Sequence, residues 1–160
     1  MSANFVPGYD RPEVVRELFK EYTEILVAGD PDFRQYLNVQ NFDEEVRDLE
    51  YKYGQPEGRL YLAYVDGEAA GCMALKKFDE TSCEIKRLYV RSRFRGHRIG
   101  EQMVEQLIAD AREIGYTHIL LDTLPFLRTA IQMYLRMGFS EIPSYNGSPM
   151  ENLIYMKYEL

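Results

Sequence analysis

The stretch from Glu84 to Gly115, EIKRLYVRSRFRGHRIGEQMVEQLIADAREIG, does most to limit the folds open to this chain. A β-rich run ending in Leu88, Tyr89 and Val90 gives way to a short basic segment. Apolar residues then recur at helical spacing, at Ile99, Met103, Leu107, Ala111 and Ile114, until Gly115 stops them. A strand that hands the chain so quickly to a helix belongs to a layered α/β arrangement, where each element buries its apolar side on the other.

The flanking patterns extend that arrangement. RLYLAYVDGEAAGCMALKKF holds two β-rich runs around Asp66-Gly67, a dipeptide suited to the positive φ angles of a tight hairpin turn. CEIKRLYV follows as a third strand, and THILLDT is a short apolar strand after the helix. PFLRTAIQMYLRMGF reads as a further helix, with Pro125 near its first turn and Gly138 closing it. NLIYMKYEL ends the chain as an alternating strand. Upstream, RPEVVRELFKEYTEILVAGD is an amphipathic helix with Val14, Val15, Leu18, Phe19, Tyr22, Ile25 and Leu26 on one side. A second, more polar helix is expected from Asp43 to Tyr53, before Gly54, Pro56 and Gly58 break the chain. The whole, residues 1–160, reads as one α/β domain with a mixed, mostly antiparallel sheet flanked by helices.

The 160 residues suffice for a real core, and a hydrophobic fraction of 46% excludes a disordered chain. The apolar runs are too short to cross a bilayer, and MSANFVPGYDRPE carries neither a basic start nor an apolar h-region. The expected location is therefore the cytoplasm, with no membrane partner. Cys72 and Cys83 lack a metal spacing and sit in strand-like runs, which reads as buried free thiols. Two histidines scattered with them make no metal site.

A net charge of -7 weighs against nucleic acid as a partner. Against that background Lys86, Arg87, Arg91, Arg93, Arg95 and Arg98 stand together with no carboxylate among them. A helix start offers unpaired N–H groups and a partial positive charge. Gly96 and Gly100 let an anion approach that backbone, and Arg95, His97 and Arg98 add charge beside it. A diphosphate is the natural guest. The Gly-Lys-Ser/Thr of a Walker loop is absent, and so is G-x-G-x-x-G, although Asp122 stands about twenty residues on, where a dinucleotide fold puts its acid. From these residues alone, a nucleotide- or phosphopeptide-binding module remains open.

EIKRLYVRSRFRGHRIGEQMVEQLI, followed by HILLDT and AIQMYLRMGF, resembles the acetyl-CoA-dependent N-acetyltransferase superfamily (GNAT). Leu88 and Val90 fall on its Leu-x-Val strand pattern. Arg95 and Gly100 fall in its Arg/Gln-x-x-Gly-x-Gly/Ala loop, and Ala130, Tyr134, Gly138 and Phe139 in its later helix. The resemblance runs from about Arg59 to the C-terminus. Arg98 replaces the loop's central glycine, and Leu127 stands where many members have an asparagine.

The resemblance implies an acetyl-CoA cosubstrate, with the backbone of Leu88, Tyr89 and Val90 along the pantetheine arm. Arg95, Gly96, His97, Arg98, Ile99, Gly100 and Glu101 would wrap the pyrophosphate, provided the Glu101 carboxylate faces away. The Leu88 N–H would meet the acetyl carbonyl; elsewhere, losing one such donor costs about 3–4 kcal/mol. Tyr134 would protonate the departing thiolate and Glu84 would take a proton from the amine. Arg87, Tyr89, Tyr145, Asn146 and Tyr155 would edge the acceptor pocket, while His118 is read as structural. The acceptor would be a small-molecule or peptidyl amine, with the acidic remainder of the chain favouring a cationic one. A homodimer is compatible with this layout. The alternative within the resemblance is an acyl-CoA-binding sensor that kept the loop and lost turnover.

Overall fold

A computed structural model describes residues 2–36, 44–148, 150 and 152–160. Strand β1 (Asn4–Pro7) leads into helix α1 (Pro12–Gly29), which turns Val15, Leu18, Phe19 and Leu26 inward. A 3-10 turn follows at Pro31–Tyr36. Helical residues 44–47 precede the short helix α2 (Leu49–Tyr53), whose start is capped where Asp48 Oδ1 accepts from the Tyr51 N–H at 3.1 Å. The expected second helix is therefore two pieces joined at Asp48; Asp43 lies outside the described residues.

Strands β2 (Arg59–Val65), β3 (Glu68–Lys77) and β4 (Ser82–Val90) form an antiparallel meander. Asp66 and Gly67 turn its first corner with φ of 50° and 80°, as the hairpin dipeptide demands. Helix α3 (Ile99–Ile114) carries the chain back to β5 (His118–Thr123), and helix α4 (Arg128–Met137) leads to β6 (Ser140–Ile142) and β7 (Ile154–Glu159). Among the described residues these make one seven-stranded sheet in the order β1-β2-β3-β4-β5-β7-β6. Only β4 and β5 run parallel. The short β1 and β6 strands were not legible in the sequence: each lies on an edge, and neither alternates clearly.

The sheet separates two cores. On one face Val15, Leu18, Phe19, Leu49 and Tyr53 pack on Leu60, Leu62, Cys72, Ala74 and Tyr89. On the other Ile99, Met103, Leu107 and Ala111 of α3, with Tyr134 of α4, pack on Met73, Leu75, Ile85, Ile119 and Leu121. Cys72 and Cys83 are free and buried in these layers, where burial pushes both thiols up to about 12.

The β3–β4 register slips between Cys72↔Tyr89 and Ala74↔Lys86, so β4 carries an extra residue there. Arg87 takes it up with φ 57°. A left-handed backbone at a residue with a Cβ costs about 1–2 kcal/mol. Gly71 lets the strands close again beyond the bulge, because a Cβ there would collide with the Tyr89 carbonyl oxygen.

Candidate active site

The parallel pair is brief. β4 meets β5 at Ser82↔His118, Cys83↔Ile119 and Glu84↔Leu120, and the pairing stops there. Bulges bend a strand and increase its twist, and past Glu84 the bulged β4 leaves its neighbour. β5 continues to Thr123 on its other partner, β7. The result is a parting in the middle of the sheet, with the β5 side of Ile85–Val90 left without a strand partner among the described residues.

At the mouth of this parting, Arg98 caps α3 in the left-handed region, with φ 61°. The first i−4 bond of the helix runs from the Gln102 N–H to the Arg98 carbonyl, at 3.0 Å. Helix geometry therefore leaves the Ile99, Gly100 and Glu101 amides without intrahelical acceptors. Gly96 is required by its φ of 83°, but Gly100 is not required by packing: a Cβ there would rest 3.4 Å from Met133 Sδ, an ordinary contact. A glycine that the fold itself does not need keeps that surface clear for something else.

The cations of the basic segment divide into two groups. Lys86 pairs with Glu84 at 3.3 Å, Arg87 with Glu45 at 2.5 Å and Arg91 with Glu21 at 2.6 Å, while Arg93 pairs with Glu68. Arg95 and Arg98 are exposed beside the helix start, Arg95 donating from Nε to the Val90 carbonyl at 3.0 Å. His97 is exposed between them. Glu101 turns aside toward Arg136, 3.8 Å away, with Arg98 at 4.0 Å. Its carboxylate is thus engaged by cations flanking the helix mouth.

Tyr134 lies beneath the parting, 5% exposed, its ring 5.3 Å from that of Phe139. Burial pushes its hydroxyl well above the ordinary tyrosine range, and Tyr22 adds to the effect. Tyr22 belongs to α1, on the opposite side of the sheet, where its ring is 5.6 Å from that of Tyr89. Burial raises Tyr22 to about 12.

On the α1 side of the parting, Glu84 is 5% exposed. Its Oε2 accepts from the Tyr145 hydroxyl at 2.7 Å. Tyr145 is boxed by Phe78 and Tyr155, at ring separations of 5.0 and 5.4 Å, and burial together with Glu84 lifts its pKa far above the ordinary value. Asn146 donates to Asp122 at 2.9 Å, and Asp122 stands opposite Tyr155 in the β5–β7 ladder. The Tyr155 hydroxyl is buried with no hydrogen-bond partner among the described residues. Sequence reasoning reached Glu84, Tyr145, Asn146 and Tyr155. It did not place Tyr22, which helical spacing marks only as core, or Asp122 beside them.

Arg87 and Tyr89 do share this face, but both are already engaged. Arg87 lies over the Phe19 ring at 4.9 Å, and the Tyr89 hydroxyl donates to Glu21 at 3.0 Å. His118 starts β5 with Nδ1 2.9 Å from Thr117 Oγ1, away from the parting. Leu127 caps α4 without a side-chain hydrogen bond and packs beside Leu26 and Leu124.

Among the described residues the mixed sheet parts at its one parallel pair, with a glycine-bearing helix start at the mouth of the parting, and this fold superposes on solved α/β structures. The chain belongs to the acetyltransferase (GNAT) family, whose model matches residues 14–139. An uncharacterized N-acetyltransferase of Dictyostelium discoideum is 33% identical across 100% of both chains. Another, from Schizosaccharomyces pombe, is 37% identical over 81% of this chain and 80% of its own. Among solved structures, a GNAT-family acetyltransferase from Staphylococcus aureus superposes with a TM-score of 0.77 at 20% identity, covering 98% of each chain. A GNAT-family acetyltransferase from Elizabethkingia anophelis, solved with acetyl-CoA bound, reaches a TM-score of 0.56 at 26% identity, over 65% of this chain and 77% of that one. Among the described residues no helix is long and apolar enough to cross a membrane.

Proposed function

We propose that this protein moves an acetyl group from acetyl-CoA to a primary amine by direct attack in a ternary complex. The observation that carries this reading is the unpaired edge of β4 running into the α3 start, where Gly100 keeps the backbone clear for no reason of packing. Acetyl-CoA bound to the Elizabethkingia anophelis relative supports the choice of cosubstrate. The amides from Gly96 to Glu101, with Arg95, His97 and Arg98, hold the pyrophosphate. The backbone of Leu88, Tyr89 and Val90 takes the pantetheine arm, and the Leu88 N–H donates to the thioester carbonyl as charge develops there.

An alkylammonium is almost wholly protonated at neutral pH and must shed two protons in the reaction. Glu84 accepts the first, directly or through water, and passes it to solvent. The amine nitrogen then attacks the carbonyl carbon and the C–S bond breaks. The second proton ends on the CoA sulfur by way of Tyr134, which burial keeps protonated until that moment. Beside the Glu84–Lys86 pair, Asp122 adds a carboxylate to the acceptor face that suits a cationic amine, and the Tyr155 hydroxyl, unpaired among the described residues, offers such an acceptor a hydrogen bond.

Calorimetric titration with acetyl-CoA, with ATP as the control, tests the cosubstrate; micromolar affinity is about -8 kcal/mol. Absence of acetyl-CoA binding at moderate salt overturns the reading. Thiol release with a panel of primary amines then tests turnover. Binding without release across the panel would make the protein a sensor.

A further inference from the structure

Arg87 is the only described residue of β4 with a left-handed backbone, and it immediately precedes Leu88. Its side chain is held from the far layer. The guanidinium donates to Glu45 Oε2 at 2.5 Å, across 42 residues of sequence, and lies 4.9 Å from the centre of the Phe19 ring. Glu45, 6% exposed, also accepts from the Tyr53 hydroxyl and pairs with Lys52 at 2.9 Å. Burial opposes the Glu45 charge; Arg87, Lys52 and Tyr53 together outweigh it and hold the carboxyl below its ordinary range.

The pair joins a buried carboxylate to a half-buried guanidinium, and the cost of taking charge out of water offsets much of what such a pair contributes to stability. A non-glycine residue keeps a positive φ only where its surroundings over-determine it, and such residues gather at functional sites. A one-residue slip in a strand turns every following amide and side chain to the opposite side. If the bulge at Arg87 relaxed, the Leu88 N–H would be re-aimed.

We infer that the Glu45–Arg87 pair is a positioning device: it pins the β4 bulge from the α2 side and so aims the Leu88 N–H at the thioester carbonyl. This role rests on acetyl-CoA being the cosubstrate. Neither side chain touches substrate; both act through the backbone of β4.

The test reads the carbonyl itself and needs no acceptor. Acetyl-CoA labelled with 13C at the thioester carbonyl is bound to the protein and its stretch is recorded by isotope-edited infrared spectroscopy. A hydrogen bond from Leu88 lowers that frequency relative to free acetyl-CoA. The paired variant Glu45→Gln with Arg87→Met removes both charges, leaves no buried orphan and keeps an apolar stem over Phe19. It is expected to bind acetyl-CoA as the parent does while the stretch returns to its free position; Arg87→Lys restores part of the shift. If the paired variant does not fold, Glu45→Gln alone carries the test, with a partial loss of the shift expected. A variant that folds, binds and keeps the full shift overturns the inference and leaves the acetyl-CoA reading intact. A parent protein that binds without any shift removes the Leu88 role, and the inference with it. A parent that does not bind acetyl-CoA removes the cosubstrate reading as well.

Discussion

The proposed phosphate seat and the proposed acceptor face are built in opposite ways. Residues 95–101 form one continuous segment, and the features suited to holding an anion there are mainly backbone: the first amides of α3 and two glycines. The acceptor face draws Tyr22 from α1, Glu84 from β4, Asp122 from β5, Tyr145 and Asn146 from the loop after β6, and Tyr155 from β7. A local backbone site depends on few side chains and tolerates a varied surrounding sequence. A site assembled from five segments can be retuned one side chain at a time without disturbing the helix start. Cosubstrate binding and acceptor choice should therefore separate under mutation.

The largest effect expected is at the seat. Gly100→Asp sets a carboxylate against a diphosphate, a repulsion of about 4 kcal/mol at an effective dielectric near 20, on the order of a thousandfold in affinity. Titration calorimetry reads that loss, while the thermal midpoint should hold, because an acid in a first helical turn suits the dipole. Gly100→Ala is the finer probe: it should melt no lower than the parent and still bind acetyl-CoA more weakly. Equal binding by the alanine variant would mean that no phosphate approaches this backbone.

Next come the groups assigned to chemistry. Tyr134→Phe and Glu84→Gln should each lower kcat by about a hundredfold, with the acetyl-CoA Kd changed by less than about twofold. A Glu84→Gln variant that lost acetyl-CoA binding would erase the distinction between the two regions. Among the arginines the expected split is smaller. Arg95→Ala should weaken acetyl-CoA by about tenfold at low salt and less at high salt, whereas Arg93→Ala, in its exposed pair with Glu68, should change little.

The smallest expected effect concerns pH and the Glu45 carboxyl. Glu45 is held below its ordinary 4.5 in the folded chain, so it binds its proton less readily there than when unfolded. Its contribution to stability is present above about pH 4.5 and is lost as pH falls through the folded value. In Glu45→Gln this part of the acid limb should flatten in thermal melts between pH 3 and 6, a range chosen to bracket about 4.5. An unchanged limb would show that the carboxyl is not held down by Arg87, Lys52 and Tyr53.

Much of the frame was legible in the order of residues. Asp66-Gly67 marked the hairpin corner, Gly115 and Gly138 closed α3 and α4, and the stripe from Ile99 to Ile114 marked the side that α3 buries. The basic segment was legible as a cluster but not as two groups, because Glu21, Glu45 and Glu68 are far away in sequence and only folding brings them to Arg91, Arg87 and Arg93. The oddity of Glu101 was answered the same way, by Arg136 from another helix.

Features that depend on neighbours a few residues apart needed nothing beyond the sequence. Helical and strand periodicity, the glycine stops and the amides at a helix start all follow from local steric and hydrogen-bonding rules. Packing in three dimensions settled where β4 and β5 part and which cations keep charge to spare. These depend on a bulge and on contacts between segments up to 70 residues apart, as Arg91 and Glu21 are. No local pattern encodes such meetings, because the energy that selects them arises only when the layers pack.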